Sequence, residues 1–390
     1  TLILHGDMQT ATAGTSNFVL GVNAGDSIES GGNYNVAIGD EAGTALTTGD
    51  DNVAVGYAAL DANTTGGSNV GIGSSAIGAN TTGANNVAVG YNALLANTSA
   101  NYNSAFGERA MSANTTGANN TAIGSQALLA NTTGTQNIAL GYGALVANTT
   151  ASYNTALGYN TLAGNTTGAY NVAVGYLALD ANTTADYNVA VGSNALGATT
   201  TGTSNVAVGA NALDANTTGA SNVAVGAYAL DANTTASNNA AVGSGALGAN
   251  TTGTGNVSVG TNSMVLNTEG SYNATVGYSA LDANTTGANN TAIGYATLGA
   301  NTTASNNVAV GYNALNDNTT ADSNTAVGAN ALATNTTGTL NNAFGVNSLD
   351  ANTTGNTNVA MGYAALGSNT TASANVAIGH DAMVANTTGA

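Results

Sequence analysis

The turn "NTT" recurs in 20 copies between positions 63 and 388, and 18 of them place an asparagine two residues before a serine or threonine. These are Asn63, Asn80, Asn97, Asn114, Asn131, Asn148, Asn165, Asn182, Asn216, Asn233, Asn250, Asn284, Asn301, Asn318, Asn335, Asn352, Asn369 and Asn386. An Asn-x-Ser/Thr triplet is an acceptor for N-linked sugar, so one reading is a sugar coat that keeps a weakly charged chain in solution. The other is structural: identical amides repeated at a fixed spacing hydrogen-bond to one another as a ladder. Two copies bear on the choice. Thr199 replaces the asparagine in one, and Asn267 keeps it in a triplet that ends in Glu269 and accepts no sugar. If successive copies stack about 4.8 Å apart, sugars on neighbouring asparagines collide.

Tyrosine forms a second series at one place in the repeat: Tyr57, Tyr91, Tyr142, Tyr159, Tyr176, Tyr278, Tyr295, Tyr312 and Tyr363. Rings in such a row either stack on one another or offer flat faces to sugars or to a neighbouring fibre. Aspartates recur more sparsely, at Asp61, Asp180, Asp214, Asp231, Asp282 and Asp350. They are too few for a cation on every repeat, and the Gly-Gly-x-Gly-x-Asp pattern of calcium-binding rolls is missing. His5 and His380 are isolated, and Glu108 beside Arg109 occurs once. Acid–base catalysis needs complementary groups at one place, so the expectation is a protein that is not an enzyme and holds no cofactor or metal. Arg109 is the only Lys or Arg, against 19 Asp and Glu, which argues against a phosphate-tracking surface for nucleic acid and against anchoring to anionic lipid. With no cysteine there is neither a disulfide framework nor a thiolate metal site.

These residues are positioned by a repeat of 17. Asparagine opens the unit at Asn35, Asn52, Asn69 and onward to Asn375, giving 21 copies without insertion or deletion, and a looser copy starts near Asn17. Seventeen residues cannot fold alone: ordering them costs roughly 1–2 kcal/mol each, and two or three buried aliphatic side chains return about 1.5–3 kcal/mol each. The copies must bury one another. The fourth residue of the unit is always apolar (Val55, Ile72, Phe106, Leu140, Val174, Met361) and the ninth is almost always Leu, Ile or Met, so both are expected in the core. The third is almost always Ala and the fifth is always Gly. In a strand this makes one face aliphatic and the other pared down to Ala and Gly. That small-residue face either admits the backbone of a second chain or fits a cramped bend.

A helix is excluded, because apolar positions 2, 4 and 9 do not follow a 3.6 period and the recurring Gly, Asn and Thr are poor helix formers. Each copy is expected to run strand, tight turn, a second short strand over "ALxA", then a looser polar turn. The fold class is therefore all-β, a parallel β-roll or β-solenoid with one 17-residue coil per repeat. A triple β-spiral is the rival, but the constant unit length favours stacking. Residues 1–16 read as a lead-in and 17–390 as one continuous solenoid of about 22 repeats, with no proline and no linker. No signal peptide or bilayer-spanning run is read, and the stop at Ala390, one residue short of a unit, suggests a piece of something longer.

The unit "NTALGYNTLAGNTTGAY", residues 154–170, resembles the 17-residue repeats of bacterial and phage fibre proteins that often end in an endosialidase-type chaperone domain. "NVAIG", residues 35–39 and 375–379, is similar to the core motif of the head repeats of trimeric autotransporter adhesins. This chain has three more residues per unit than those heads and shows no stalk, membrane anchor or chaperone domain. The resemblance implies a left-handed parallel roll, a homotrimer and a place at a cell or virion surface. The expected function is the structural rod of an extracellular fibre or tail fibre serving adhesion. The alternative is ligand binding by a repeated surface, with glycans along the tyrosines or ice along the threonines.

Overall fold

A computed structural model describes residues 12–389; His5, Ala390 and most of the 1–16 lead-in lie outside the described residues. The chain divides into two compact units, Thr1–Tyr187 and Asn188–Ala390. Strands β1 (Phe18–Leu20) to β10 (Val172–Val174) belong to the first and β11 (Val189–Val191) to β22 (Val376–Ile378) to the second. Each unit is by itself an all-β solenoid of parallel three-residue strands. Within each unit, partners from β2 (Val36–Ile38) onward are 17 residues apart, as in Val53↔Val70 and Val206↔Val223. The looser first copy pairs at 18, Phe18 with Val36.

Local chemistry sets the coil. Valine at positions 2 and 4 favours the extended backbone, and glycine at position 5 ends the strand with φ between +126° and +145°, a conformation that side chains rarely adopt. Positions 7, 9 and 17 then take the left-handed region; in one coil these are Asn211 (φ 54°), Leu213 (φ 53°) and Ser221 (φ 58°). The "ALxA" segment is therefore not the second strand expected. It is a pair of turns, closed by Ala212 N–H to Gly209 C=O (3.3 Å) and Asn216 N–H to Leu213 C=O (3.2 Å). Stacking does not suffer, because the turns still bond to the next coil. Leu213, Ala215 and Thr217 N–H donate to the carbonyls of Ala229, Asp231 and Thr234 at 2.9–3.0 Å.

The core differs from expectation in one respect. Leucine at position 9 is fully enclosed throughout, as at Leu60, Leu128, Leu213 and Leu315. Across from it lies the alanine of position 3, also at 0–3 % exposure in every 17-residue coil that carries one, whereas the position-4 residues expected inside point outward. Val208 is 37 % exposed and Met361 43 %. The reason is thickness. A methyl placed on Gly71, at position 3, sits 3.3 Å from Leu60 Cγ and 3.1 Å from the Ala76 carbonyl oxygen, so the space between strand and turns holds Leu against Ala and no more. The small-residue face thus fits a cramped interior and does not receive a second chain. Where position 3 is polar, the core adapts: Ser258 Oγ donates to Ser263 C=O (2.9 Å), and Ser263 Oγ lies 2.7 Å from Thr275 Oγ1.

Candidate functional site

The repeat gives no single centre; its chemistry lies in ladders, each built from one position of the coil. Asparagine at position 1 is held by its counterpart in the preceding coil and by the turn that closes its own coil. Asn222 N–H donates to Asn205 Oδ1 (3.0 Å), and its Nδ2 donates to Asn205 Oδ1 (3.2 Å) and Ala236 C=O (2.8 Å). The position-12 asparagines form a parallel column: Asn233 Nδ2 donates to Asn216 Oδ1 (2.9 Å) and to the same Ala236 carbonyl (3.1 Å). One carbonyl thus receives both columns. Threonine at position 13 adds a third, Thr217 Oγ1 donating to Thr234 C=O (3.1 Å).

Of the 18 asparagines in sugar-acceptor triplets, Asn63 through Asn369 are all fully buried, and only Asn386, whose Nδ2 donates to Gly389 C=O (3.0 Å), is partly open. The nitrogen that sugar would use is enclosed in the folded coil, and a sugar there displaces the ladder. The two irregular copies fit the ladder. Asn267, outside any acceptor triplet, still donates to Asn250 Oδ1 (2.8 Å) and accepts from Asn284 (2.7 Å). Thr199 accepts through Oγ1 from Asn216 (3.3 Å).

A paired substitution separates the roles. Asn250→Ala leaves buried partners unsatisfied and lowers stability by about 1–3 kcal/mol, read as a lower denaturant midpoint. Thr252→Ala abolishes the same acceptor triplet from an exposed position; it leaves the midpoint unchanged and, in a host that attaches N-linked sugar, alters the mass of the chain by the substitution alone.

The expected tyrosine column is stacked. Ring centroids are 5.4 Å apart for Tyr142 and Tyr159, 5.6 Å for Tyr159 and Tyr176, 5.7 Å for Tyr278 and Tyr295, and 5.5 Å for Tyr295 and Tyr312. A second column at position 17 was not read from the sequence, although its spacing was visible there. Tyr153, Tyr170 and Tyr187 stack at 4.8 and 5.1 Å, within 7° of parallel. All six of these first-unit rings are about half exposed. Tyr363 stacks on His380 at 5.0 Å, and His380 Nδ1 lies 2.9 Å from Asp381 Oδ2 on the surface. Glu108 and Arg109 are both exposed.

The position-10 carboxylates sit against the turns. Burial pushes Asp61, Asp214, Asp231, Asp282 and Asp350 above the ordinary aspartate value of 3.8, and Asp214, one coil away, adds to the rise at Asp231. Among the described residues no three His, Cys, Asp or Glu side chains converge as a metal site. Just above pH 3.8 the folded chain holds more protons than the unfolded one, so stability rises as pH falls from neutral into that window. The denaturant midpoint should increase between pH 7 and about pH 4.5. It should increase less in the Asp214→Asn/Asp231→Asn variant.

One shallow groove of about 440 Å³ in the second unit is lined by Tyr228, Asp231, Gly245, Gly248, Val265 and Leu266. It exists because positions 7 and 10 both fall to glycine in a single coil.

The most continuous surface feature is apolar. Positions 2 and 4 of successive strands set Val, Ile, Leu, Phe or Met side by side on the outer face, with Phe106 38 %, Ile123 40 %, Ile138 47 % and Leu157 40 % exposed in the first unit and Val223 38 %, Val225 37 %, Val242 40 % and Val257 45 % in the second. Threonine, serine, alanine or asparagine interrupts only position 2, as at Ser104, Thr121, Ala240 and Asn342.

Fold and ladders together define a repeat protein of the parallel β-solenoid class. No family model matches the chain, and no curated protein matches it at a significant level.

Proposed function

We propose that this chain is a structural segment of an extracellular fibre or tail fibre, self-associated as a homotrimer, with adhesion as its purpose. The observation that carries this reading is the exposed aliphatic face of positions 2 and 4. Contiguous apolar surface on a water-facing strand is costly and marks an interaction site, and a face repeated every 17 residues suits a partner with the same repeat, which is a second copy of the chain. Tight ladders of buried amides and invariant glycines serve endurance. The resemblance to fibre and adhesin repeats supports the same reading and supplies the number three.

Antibody raised against this segment should decorate filaments projecting from the surface of the cells or virions that produce it. Labelling confined to the cell interior would overturn the proposal.

A second reading, glycan capture, is favoured by the exposed tyrosine columns, whose rings offer flat apolar edges to sugars. Ice binding gains nothing: at position 13 the threonine hydroxyl is spent on the next coil, as in Thr64 Oγ1 to Thr81 C=O (3.0 Å), so adjacent threonines do not share one free surface.

A further inference from the structure

We infer that the tyrosine columns are sites of oxidative cross-linking, in which consecutive coils become stapled by dityrosine. The inference stands apart from the fibre reading and rests on ring geometry. Coupling of two phenols needs two rings that meet repeatedly, that reach an oxidant in solution, and that bring equivalent carbons beside the oxygen near each other. Tyr153 and Tyr170 are 4.8 Å apart and 4° from parallel, and Tyr142 and Tyr159 are 5.4 Å and 14°. Each lies on a coil bonded to the next, so the pair cannot drift apart. All are 47–48 % exposed. Successive coils run in the same direction, so like edges of the two rings face the same way and each carbon beside the phenol oxygen has its counterpart on the next ring.

Competing targets are few. The chain has no Cys and no Trp. Of the methionines, Met111 and Met264 are fully buried, which leaves Met361 and Met383 exposed among the described residues.

The chemistry balances with a peroxide as oxidant and a peroxidase to deliver it in one-electron steps. Each of two phenols gives up one electron and its hydroxyl proton. The two phenoxyl radicals join through the ring carbons beside oxygen, forming one C–C bond. The hydrogen on each of those carbons is then lost as a proton while the oxygen regains one, restoring both aromatic rings. Two tyrosines and one hydrogen peroxide give one dityrosine and two waters.

The experiment treats the whole 390-residue chain with peroxidase and hydrogen peroxide at low protein concentration, then maps cross-linked peptides by mass spectrometry and follows dityrosine fluorescence. Linked pairs should join residues 17 apart within one chain, chiefly in the 142/159/176, 153/170/187 and 278/295/312 columns. Their yield should exceed that at the unstacked Tyr57, Tyr91 and Tyr102 by at least about tenfold, as expected when partners are held together. On a denaturing gel the chain should still run as a single polypeptide. Tyr159→Phe keeps the ring and the fold and should remove the 142–159 and 159–176 links while sparing 153–170 and 170–187. Equal yield at stacked and unstacked tyrosines, links mainly between chains, or persistence of the 142/159/176 fluorescence share in Tyr159→Phe would each overturn the inference.

Discussion

Ala207→Asp unfolds the coil around it, whereas Val208→Asp, one residue along the same strand, leaves the coil standing. Ala207 faces the interior with no exposed surface, against the leucines of the turns, and Val208 is 37 % exposed on the outer face. A carboxylate forced into the position of Ala207 has neither a cationic partner nor room, since residues 190–224, its own coil and its two neighbours' strands, contain no Lys, Arg or His. An uncompensated buried charge costs about 3–5 kcal/mol. On Val208 the same group reaches water, and under the proposed self-association the loss appears there instead, because charge on the aliphatic face opposes the approach of an identical face. Circular dichroism and protease resistance read the first effect, and solution mass reads the second. Equal loss of folded structure in both variants would show that the strand faces are assigned the wrong way round.

Gly243→Ala produces a comparable loss for a different reason. Glycine at position 5 stands at φ +133°, and a methyl built there lies 2.6 Å from both the carbonyl carbon and the carbonyl oxygen of Gly260 on the next coil. Both obstacles are backbone and neither can rotate aside. The coil must separate from its neighbour, which breaks Gly260 N–H to Val242 C=O (2.7 Å). The dihedral strain alone is of order 1–3 kcal/mol. Amide exchange should accelerate at residues 242–262 and stay slow many coils away, because in a repeat stack each coil depends on its neighbours alone. Ala210→Ser, at the exposed position 6, serves as the silent control.

Much of this was legible in the repeat itself. The 17-residue period gave the register, invariance of Gly at position 5 marked the bend, and Asn267, kept without its acceptor triplet, pointed to the amide ladder. The inward face was not legible. Alternation along "NVAVG" defines two faces but says nothing of how far apart strand and turns lie, and bulk favoured valine as the core residue. The distance is set by backbone that sequence patterns do not announce: leucine at position 9 in the left-handed region, φ 50–55° in coil after coil. An isolated leucine avoids that region at a cost of about 1–2 kcal/mol. Here complete burial of its side chain and the hydrogen bond of its N–H to the next coil hold it there. The same dihedrals turned the expected second strand into turns. The second tyrosine column was missed for a simpler reason, since Tyr153, Tyr170 and Tyr187 fall at the variable last position of the unit, where no pattern drew attention to them.

The outward valines carry the functional account, and the mass of the free chain in solution tests it most directly. Sedimentation equilibrium should return three times the 37.4 kDa of one chain, and a variant with aspartate at Val208, Val225 and Val242 should return 37.4 kDa with an unchanged circular dichroism spectrum. A wild-type chain that sediments as a single copy at every concentration, with its aliphatic face left to water, would contradict the account.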